Sequence, residues 1–99
     1  MGILDKKYYY FIGAGGIGMS ALERFFKSIG KNVLGYDKTP TELTSELIKE
    51  GIDIHFEDNI DLIPTEINKE TTLVIYTPAV PKDHKELNYF FDQNFEVLK

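Results

Sequence analysis

The sequence predicts an α/β fold in which five parallel strands form a doubly wound sheet with the order 3-2-1-4-5. Three observations support this prediction. Segments typical of strands and helices alternate along the whole chain. The glycine-rich segment at residues 13–18 follows an apolar run and opens a helical pattern. Parallel strands also require crossover connections, which are right-handed in nearly all proteins, so the alternation favours one sheet between two helical layers.

The first strand is predicted at Tyr8–Ile12, a continuous aromatic and β-branched run of the kind found in strands buried on both faces. From Gly16 onward, an apolar residue recurs at every fourth position, which predicts an amphipathic helix that ends at Gly30. The apolar stripe consists of Ile17, Ala21, Phe25 and Ile29, with Leu22 and Phe26 beside them.

The remaining elements continue the alternation. A second strand is predicted at Asn32–Tyr36, and a second helix is expected to have Thr39 as its cap, Pro40 as its first residue and Gly51 at its end. Further strands are predicted at residues 52–56, 73–76 and 95–98, with a helix at residues 84–91 between the last two.

Length and composition restrict the possible functions. Ninety-nine residues, 42% of them hydrophobic, correspond to one domain, so we expect residues 1–99 to form a single unit. The net charge of −5 disfavours binding to nucleic acid or to an anionic membrane. No apolar run reaches the ~20 residues that span a bilayer. The absence of cysteine excludes disulfides and thiolate nucleophiles, and no acidic cluster has the spacing of a metal site.

The segment from Gly13 to Gly18 has the pattern G-x-G-x-x-G between a strand and a helix. In this pattern the first glycine permits a tight turn, the second lets the backbone approach a pyrophosphate, and the third lets helix and sheet pack closely. Amide groups at the helix start and the helix dipole then attract the anion. The motif therefore predicts a Rossmann-like domain that binds the phosphates of a nucleotide.

Three further positions at the carboxyl ends of strands are candidates for ligand contacts. Asp37 follows the second strand, where a dinucleotide-binding fold places an acid on the ribose hydroxyls, although a solvated turn explains it equally well. His55 ends the third strand on the ligand side, but a lone histidine in a strand is more often packed and hydrogen-bonded. Residues 77–81 follow the fourth strand beside the topological switch point, where a hydroxyl and small residues can line a crevice.

The chain lacks the motifs of several catalytic classes. It has no G-x-x-x-x-G-K-[ST] loop for ATP, no histidine pair on one helical turn for zinc and no G-x-S-x-G nucleophile elbow. We therefore predict no catalytic residue and no bound cofactor or metal in these 99 residues.

Residues 10–22, and above all the run Gly-Gly-Ile-Gly-Met-Ser at residues 15–20, resemble the opening of the Mur ligase family. The segments at residues 35–37, 51–55 and 76–80 are similar to later elements of that family, so the likeness covers roughly residues 7–98. The resemblance implies a three-domain cytoplasmic enzyme of peptidoglycan synthesis that uses ATP and Mg²⁺ to join L-alanine to UDP-N-acetylmuramate.

By the same resemblance, this chain is the amino-terminal UDP-binding domain, and it is inactive alone because the ATP-binding central domain and the carboxy-terminal domain are separate. The residues implied in binding the UDP part are Gly15, Gly16, Ile17 and Gly18 around the diphosphate, Asp37 and His55 facing the uridine, and Thr77, Pro78 and Ala79 closing the crevice. The alternative is an NAD-binding regulatory module or the nucleotide half of a dehydrogenase, since a Rossmann-like domain with an acid after its second strand also binds NAD.

Overall fold

The computed structural model describes residues 3–99, which form one five-stranded parallel sheet. The strands lie in the order β3-β2-β1-β4-β5, so the predicted fold class and strand order are confirmed. The strands are β1 (Tyr8–Ile12), β2 (Asn32–Tyr36), β3 (Asp53–His55), β4 (Thr72–Tyr76) and β5 (Glu96–Leu98). The helices are α1 (Ile17–Ser28), α2 (Glu42–Lys49) and α3 (Lys85–Asp92).

Two short 3-10 helices, at Ile3–Asp5 and Ile60–Leu62, were not predicted from the sequence. The second of them lies in the long connection between β3 and β4. Within residues 3–99, no helix combines the length and apolar character needed to cross a membrane.

The central strand β1 separates two hydrophobic cores. On one face, Tyr9 and Phe11 pack with side chains of α1 and α2, and the Tyr9 ring stacks on Phe26 with ring centroids 3.9 Å apart. On the other face, Tyr10 and Ile12 pack with side chains of α3. These four of the five β1 side chains are fully buried, as the aromatic and β-branched run predicts.

The register of the sheet aligns the strand ends. β1 pairs in parallel with β2 on one side and with β4 on the other, and Ile12 lies opposite both Tyr36 and Tyr76. The loops that follow β1, β2 and β4 therefore leave the sheet side by side, at the edge where ligands bind in open α/β sheets.

Helix α2 begins two residues later than predicted, because Thr41 rather than Thr39 is its cap. The Thr41 hydroxyl accepts a hydrogen bond from the Thr44 backbone N–H at 3.1 Å. The Thr44 hydroxyl in turn accepts from the Thr41 backbone N–H at 2.8 Å, which completes a reciprocal capping box. Pro40 precedes the cap, so its rigid φ angle shapes the approach to the helix and not its first turn.

Most of the apolar stripe of α1 faces away from the sheet. Of its six residues only Phe26 is buried, while Ser20 and Glu23 point inward beside it. The Gly13 and Ala14 N–H groups both donate to the Tyr36 carbonyl, which ties the loop before the helix to the end of β2. We infer that this loop, and not the hydrophobic pattern, sets the rotation of α1 about its axis.

Glu23 is a fully buried carboxyl group on the inner face of α1. Neither of its oxygens has a hydrogen-bond partner among the described residues. Burial, and to a smaller extent the Asp37 carboxylate, raise the pKa of Glu23 to about 8, against the lowering effect of the Arg24 guanidinium. The side chain is therefore mostly protonated and neutral at pH 7.

The pH dependence of stability tests this burial. The unfolded chain releases the Glu23 proton near pH 4.5, whereas the folded chain keeps it up to about pH 8, so the free energy of unfolding falls as pH rises through that window. Glu23→Gln mimics the neutral acid and removes this loss. In urea unfolding, the free energy of unfolding of the variant relative to that of the parent should be about 2–5 kcal/mol higher at about pH 8.5 than at about pH 5.

Glu66→Gln is the matched control for Glu23→Gln, because Glu66 is exposed. Its free energy of unfolding should equal that of the parent both at about pH 5 and at about pH 8.5. An equal stability difference between Glu23→Gln and the parent at the two pH values would show that Glu23 is ionised in the folded chain.

Candidate functional site

A cleft of about 790 Å³ opens at the carboxyl edge of the sheet, between the ends of β1, β2 and β4. This volume lies within the ~300–1,000 Å³ typical of small-molecule sites. The residues that line the cleft are Gly13, Gly15, Gly16, Tyr36, Asp37, Lys38, Asp58, Thr77, Ala79, Val80, Pro81, Asp83, His84 and Lys85. The backbone of a glycine loop, three carboxylates, two hydroxyls and two ammonium groups thus share one concave surface.

The glycine loop forms a tight turn between β1 and α1. Gly13 has a φ of +96°, in the left-handed region that favours glycine, and its carbonyl accepts from the Gly16 N–H at 3.1 Å. Gly16 is the N-cap of α1, and no side chain of the described residues caps this helix. The N–H groups of the first turn are therefore available to an anion, and the helix dipole favours one there.

Asp37 fixes the position of the loop. Its Oδ1 accepts from the Gly15 N–H at 2.9 Å, and its Oδ2 accepts from the Thr39 N–H at 3.0 Å. This link between the loop and the end of β2 was not predicted. Each oxygen keeps a second lone pair, so a contact between Asp37 and ribose hydroxyls stays a prediction.

The space at Gly15 is closed by its neighbours. A Cβ atom at this position would lie 2.9 Å from Thr44 Cγ2 and 3.0 Å from Asp37 Cγ. Only glycine allows the loop to lie this close to Asp37 and to the first turn of α2.

Ile17 and Gly18 lie outside the cleft wall, on the exposed first turn of α1. A Cβ atom at Gly18 would have no neighbour within 4 Å. The expectation that this glycine permits close packing of helix and sheet is therefore wrong, because the helix turns this position toward solvent. Binding of the diphosphate by the backbone of the two residues stays a prediction.

His55 lies beneath the cleft in a buried polar network and does not line the wall. Its Nε2 is 2.6 Å from Glu86 Oε2. Glu86 is fully buried and also accepts from the Tyr10 hydroxyl at 2.7 Å and from the Asn59 N–H at 3.1 Å. This is the packed, hydrogen-bonded environment that is more frequent for a lone histidine in a strand. A contact of His55 with uridine stays a prediction.

The loop after β4 contributes two of its three predicted residues to the cleft. Thr77 and Ala79 line the wall, and Pro78 lies between them off the wall. The Val80 N–H donates to the Thr77 carbonyl at 3.1 Å, which closes a turn. A Cβ atom at Gly13 would lie 3.0 Å from Thr77 Cγ2, so this threonine packs directly against the glycine loop.

The start of α3 forms a part of the wall that the sequence did not reveal. Asp58 caps the helix by accepting from the Lys85 N–H at 2.9 Å and the Glu86 N–H at 3.0 Å. His84 Nδ1 accepts from the Leu87 N–H at 3.3 Å, and the His84 ring meets the Tyr36 ring edge-on at 4.7 Å. Asp58 and α3 are far apart in the chain, so no local pattern predicts their contact.

No group of three His, Cys, Asp or Glu side chains in residues 3–99 is arranged to hold a metal ion. The chemistry that the cleft does offer is anion binding by backbone N–H groups and hydrogen bonding by Asp37 and Thr77. This combination suits a ligand with phosphates and hydroxyl groups.

Alanine substitution of two loop glycines tests the geometry of the loop. Gly15→Ala should lower the free energy of unfolding, because the new methyl would meet Thr44 and Asp37 at about 3 Å. Gly18→Ala should raise it by ~0.5–1 kcal/mol, because alanine favours a helix and the space is open. Urea unfolding followed by circular dichroism measures both, and a Gly18→Ala variant less stable than Gly15→Ala would contradict this structure of the loop.

Residues 8–99 match the model of the family described as "Mur ligase family, catalytic domain". The chain is 70% identical over 90 residues to a UDP-N-acetylmuramate–L-alanine ligase of Flavobacterium psychrophilum, a match that covers 91% of the chain and 20% of the relative. It is 56% identical over 100 residues to the ligase of the same name from Phocaeicola vulgatus, covering 100% of the chain and 22% of the relative. The chain thus spans about a fifth of the length of the curated relatives it matches.

Solved structures show the same fold. The UDP-N-acetylmuramate-alanine ligase of Thermotoga maritima superposes with a TM-score of 0.81 at 34% identity, covering 92% of the chain and 20% of that protein. The UDP-N-acetylmuramate:L-alanyl-gamma-D-glutamyl-meso-diaminopimelate ligase of Neisseria meningitides superposes with a TM-score of 0.76 at 18% identity. This second match covers 93% of the chain and 28% of that protein, and it shows the fold alone.

Proposed function

The chain belongs to the Mur ligase family, and we propose that it is the UDP-binding domain of a UDP-N-acetylmuramate–L-alanine ligase. The observation that carries the proposal is the cleft, in which the uncapped start of α1 and the Asp37 carboxylate lie side by side. The names of the relatives that share 56–70% of its residues support L-alanine ligation as the activity of the whole enzyme.

The diphosphate would bind at the start of α1. The Gly15 N–H donates to Asp37 and the Gly16 N–H donates to the Gly13 carbonyl, so the amides of Ile17 and Gly18 remain as donors for the diphosphate. Gly15 and Gly16 would contribute by lacking side chains, which lets phosphate oxygens approach the backbone. The ammonium groups of Lys38 and Lys85 in the cleft wall would attract the diphosphate and offset the repulsion from Asp58 and Asp83 in the same wall.

The nucleoside would extend along the ends of β2 and β4. The free lone pairs of Asp37 would accept from ribose hydroxyls, while Thr77 and Ala79 would close the opposite wall. Pro78 would act by fixing the backbone of that wall, and His55 would act from beneath it through the Glu86 network.

The chemistry of ligation would lie elsewhere in the enzyme. The residues described here offer neither an ATP loop nor a cluster of ligands that fits Mg²⁺, so we derive no catalytic step from them. We propose that ATP and Mg²⁺ bind to central and carboxy-terminal domains of a longer cytoplasmic protein, and that this domain supplies UDP-N-acetylmuramate to them.

Calorimetric titration with UDP, UDP-N-acetylmuramate and NAD tests the proposed ligand. We expect the 99-residue chain to bind both uridine ligands weakly, with dissociation constants on the order of tens of micromolar to millimolar, because contacts from other domains are missing. The NAD-binding alternative predicts the opposite order. Binding of NAD at least about tenfold tighter than the uridine ligands would overturn the proposal in favour of that alternative.

A matched pair of variants locates the diphosphate. Gly16→Val places a branched side chain in the cleft wall, whereas Ala21→Val places the same side chain on the exposed side of α1, outside the cleft. Gly16→Val should weaken UDP binding by about tenfold or more, and Ala21→Val should change it by less than about threefold. Equal affinities for UDP in Gly16→Val and the parent chain would exclude the glycine loop as the phosphate site.

A further inference from the structure

The outer face of α1 is apolar and exposed. Its residues are Ile17, Ala21, Leu22, Phe25 and Ile29, which we call the apolar face of α1. The exposed fractions are 85% for Ile17, 42% for Leu22, 47% for Phe25 and 44% for Ile29. One helix of a small domain therefore keeps most of its large hydrophobic side chains in water, which marks a contact surface more often than a free one.

The helix geometry makes this face continuous. Successive residues of an α-helix are turned by about 100°, which places Ile17, Ala21 and Phe25 close to one line along the axis. The buried residues Ser20 and Glu23 lie on the opposite side, against the sheet. The residues of the apolar face thus point away from the domain core, whereas Phe26 and the two buried polar residues point into it.

Charged side chains border this face and do not interrupt it. Arg24, beside the face, pairs with Glu50 at 2.8 Å and with Glu46 at 3.5 Å on α2. These ion pairs mark the side where α1 meets α2 within the domain. The apolar face itself contains no charged residue, so its exposure to water is unfavourable.

The size of the face indicates what kind of partner can cover it. A helix of 12 residues is about 18 Å long and about 10 Å wide, which gives a footprint of about 200 Å². A stable complex between separate proteins buries about 800 Å² on each partner. The apolar face of α1 is therefore too small to hold a second copy or a free protein by itself, whereas a domain on the same polypeptide docks at an effective concentration of about a millimolar.

The position of the apolar face of α1 and the length of the relatives both favour another domain of the same polypeptide as its partner. Gly16 lines the cleft and Ile17 is the next residue, so a body seated on the apolar face also borders the ligand. The relatives are about five times as long as this chain, so most of each lies outside the matched region.

We propose that the apolar face of α1 is the docking surface for the part of the ligase polypeptide that lies outside this domain. The inference rests on the proposed function, because it assigns the chain to a longer enzyme. It adds that α1 has two tasks: its first turn binds the diphosphate, and its outer face holds a neighbouring domain beside the bound ligand.

Oxidative footprinting tests this docking by comparing the 99-residue chain with a fusion. In the fusion, this chain replaces the matching fifth of the Flavobacterium psychrophilum ligase. Labelling of Phe25 should fall about fivefold or more in the fusion, because apolar contact excludes water from its ring. Phe91 on α3, 49% exposed, reports the reagent dose, and the buried Phe26 must stay unlabelled in both proteins, which shows that the domain is folded.

Equal labelling of Phe25 in the two proteins would overturn the proposal. Sedimentation of the 99-residue chain provides the second measurement, with Phe25→Gln as the variant and Ile48→Gln on α2 as its exposed apolar control. We expect a monomer for all three at about 0.1 mM. If the parent and Ile48→Gln were dimers and Phe25→Gln a monomer, a second copy would cover the apolar face, and this result would also overturn the proposal. UDP titration of the isolated chain reports separately on the proposed function.

Discussion

Hydrogen bonding of β1 to a parallel strand on each side is the constraint on which the rest of this structure depends. Because Ile12 is in register with both Tyr36 and Tyr76, the chain leaves three neighbouring strands at one level. The turn at Gly13 then directs α1 back across the sheet, and Asp37 reaches the loop from the adjacent strand end. The cleft exists because these three exits are aligned.

The same alignment explains which features could be predicted from the sequence. The alternation of elements and the glycine motif are local patterns, and the right-handed crossover turns them into one topology. Residues directly after β1, β2 and β4 therefore fall in the cleft wall, as Gly13, Asp37 and Thr77 do. Asp58 and His84 could not be predicted as cleft residues, because a contact between α3 and a loop distant in the chain brings them to the cleft wall. No local sequence pattern encodes such a contact.

The rotation of α1 shows where hydrophobic periodicity fails. The pattern correctly predicts a helix, but it carries no information about which side of the helix packs on the sheet. Here the loop tied to Tyr36 turns Glu23 inward and Phe25 outward. The burial of an unpaired carboxyl and the exposure of an aromatic ring are both costly in an isolated domain. Packing of this apolar surface on another domain, as proposed above, would remove the cost of exposing the Phe25 ring.

The most direct test of the central claim is the change in backbone amide NMR signals when UDP is added to the ¹⁵N-labelled chain. If the glycine loop and the facing β4 loop bind the nucleotide, the largest shifts will fall on Gly16, Ile17 and Gly18, with a second group at Ala79 and Val80. The amides of β5, on the far edge of the sheet, should not move. Shifts that are absent, or that spare the glycine loop while affecting other surfaces, would contradict the assignment of this cleft as the nucleotide site.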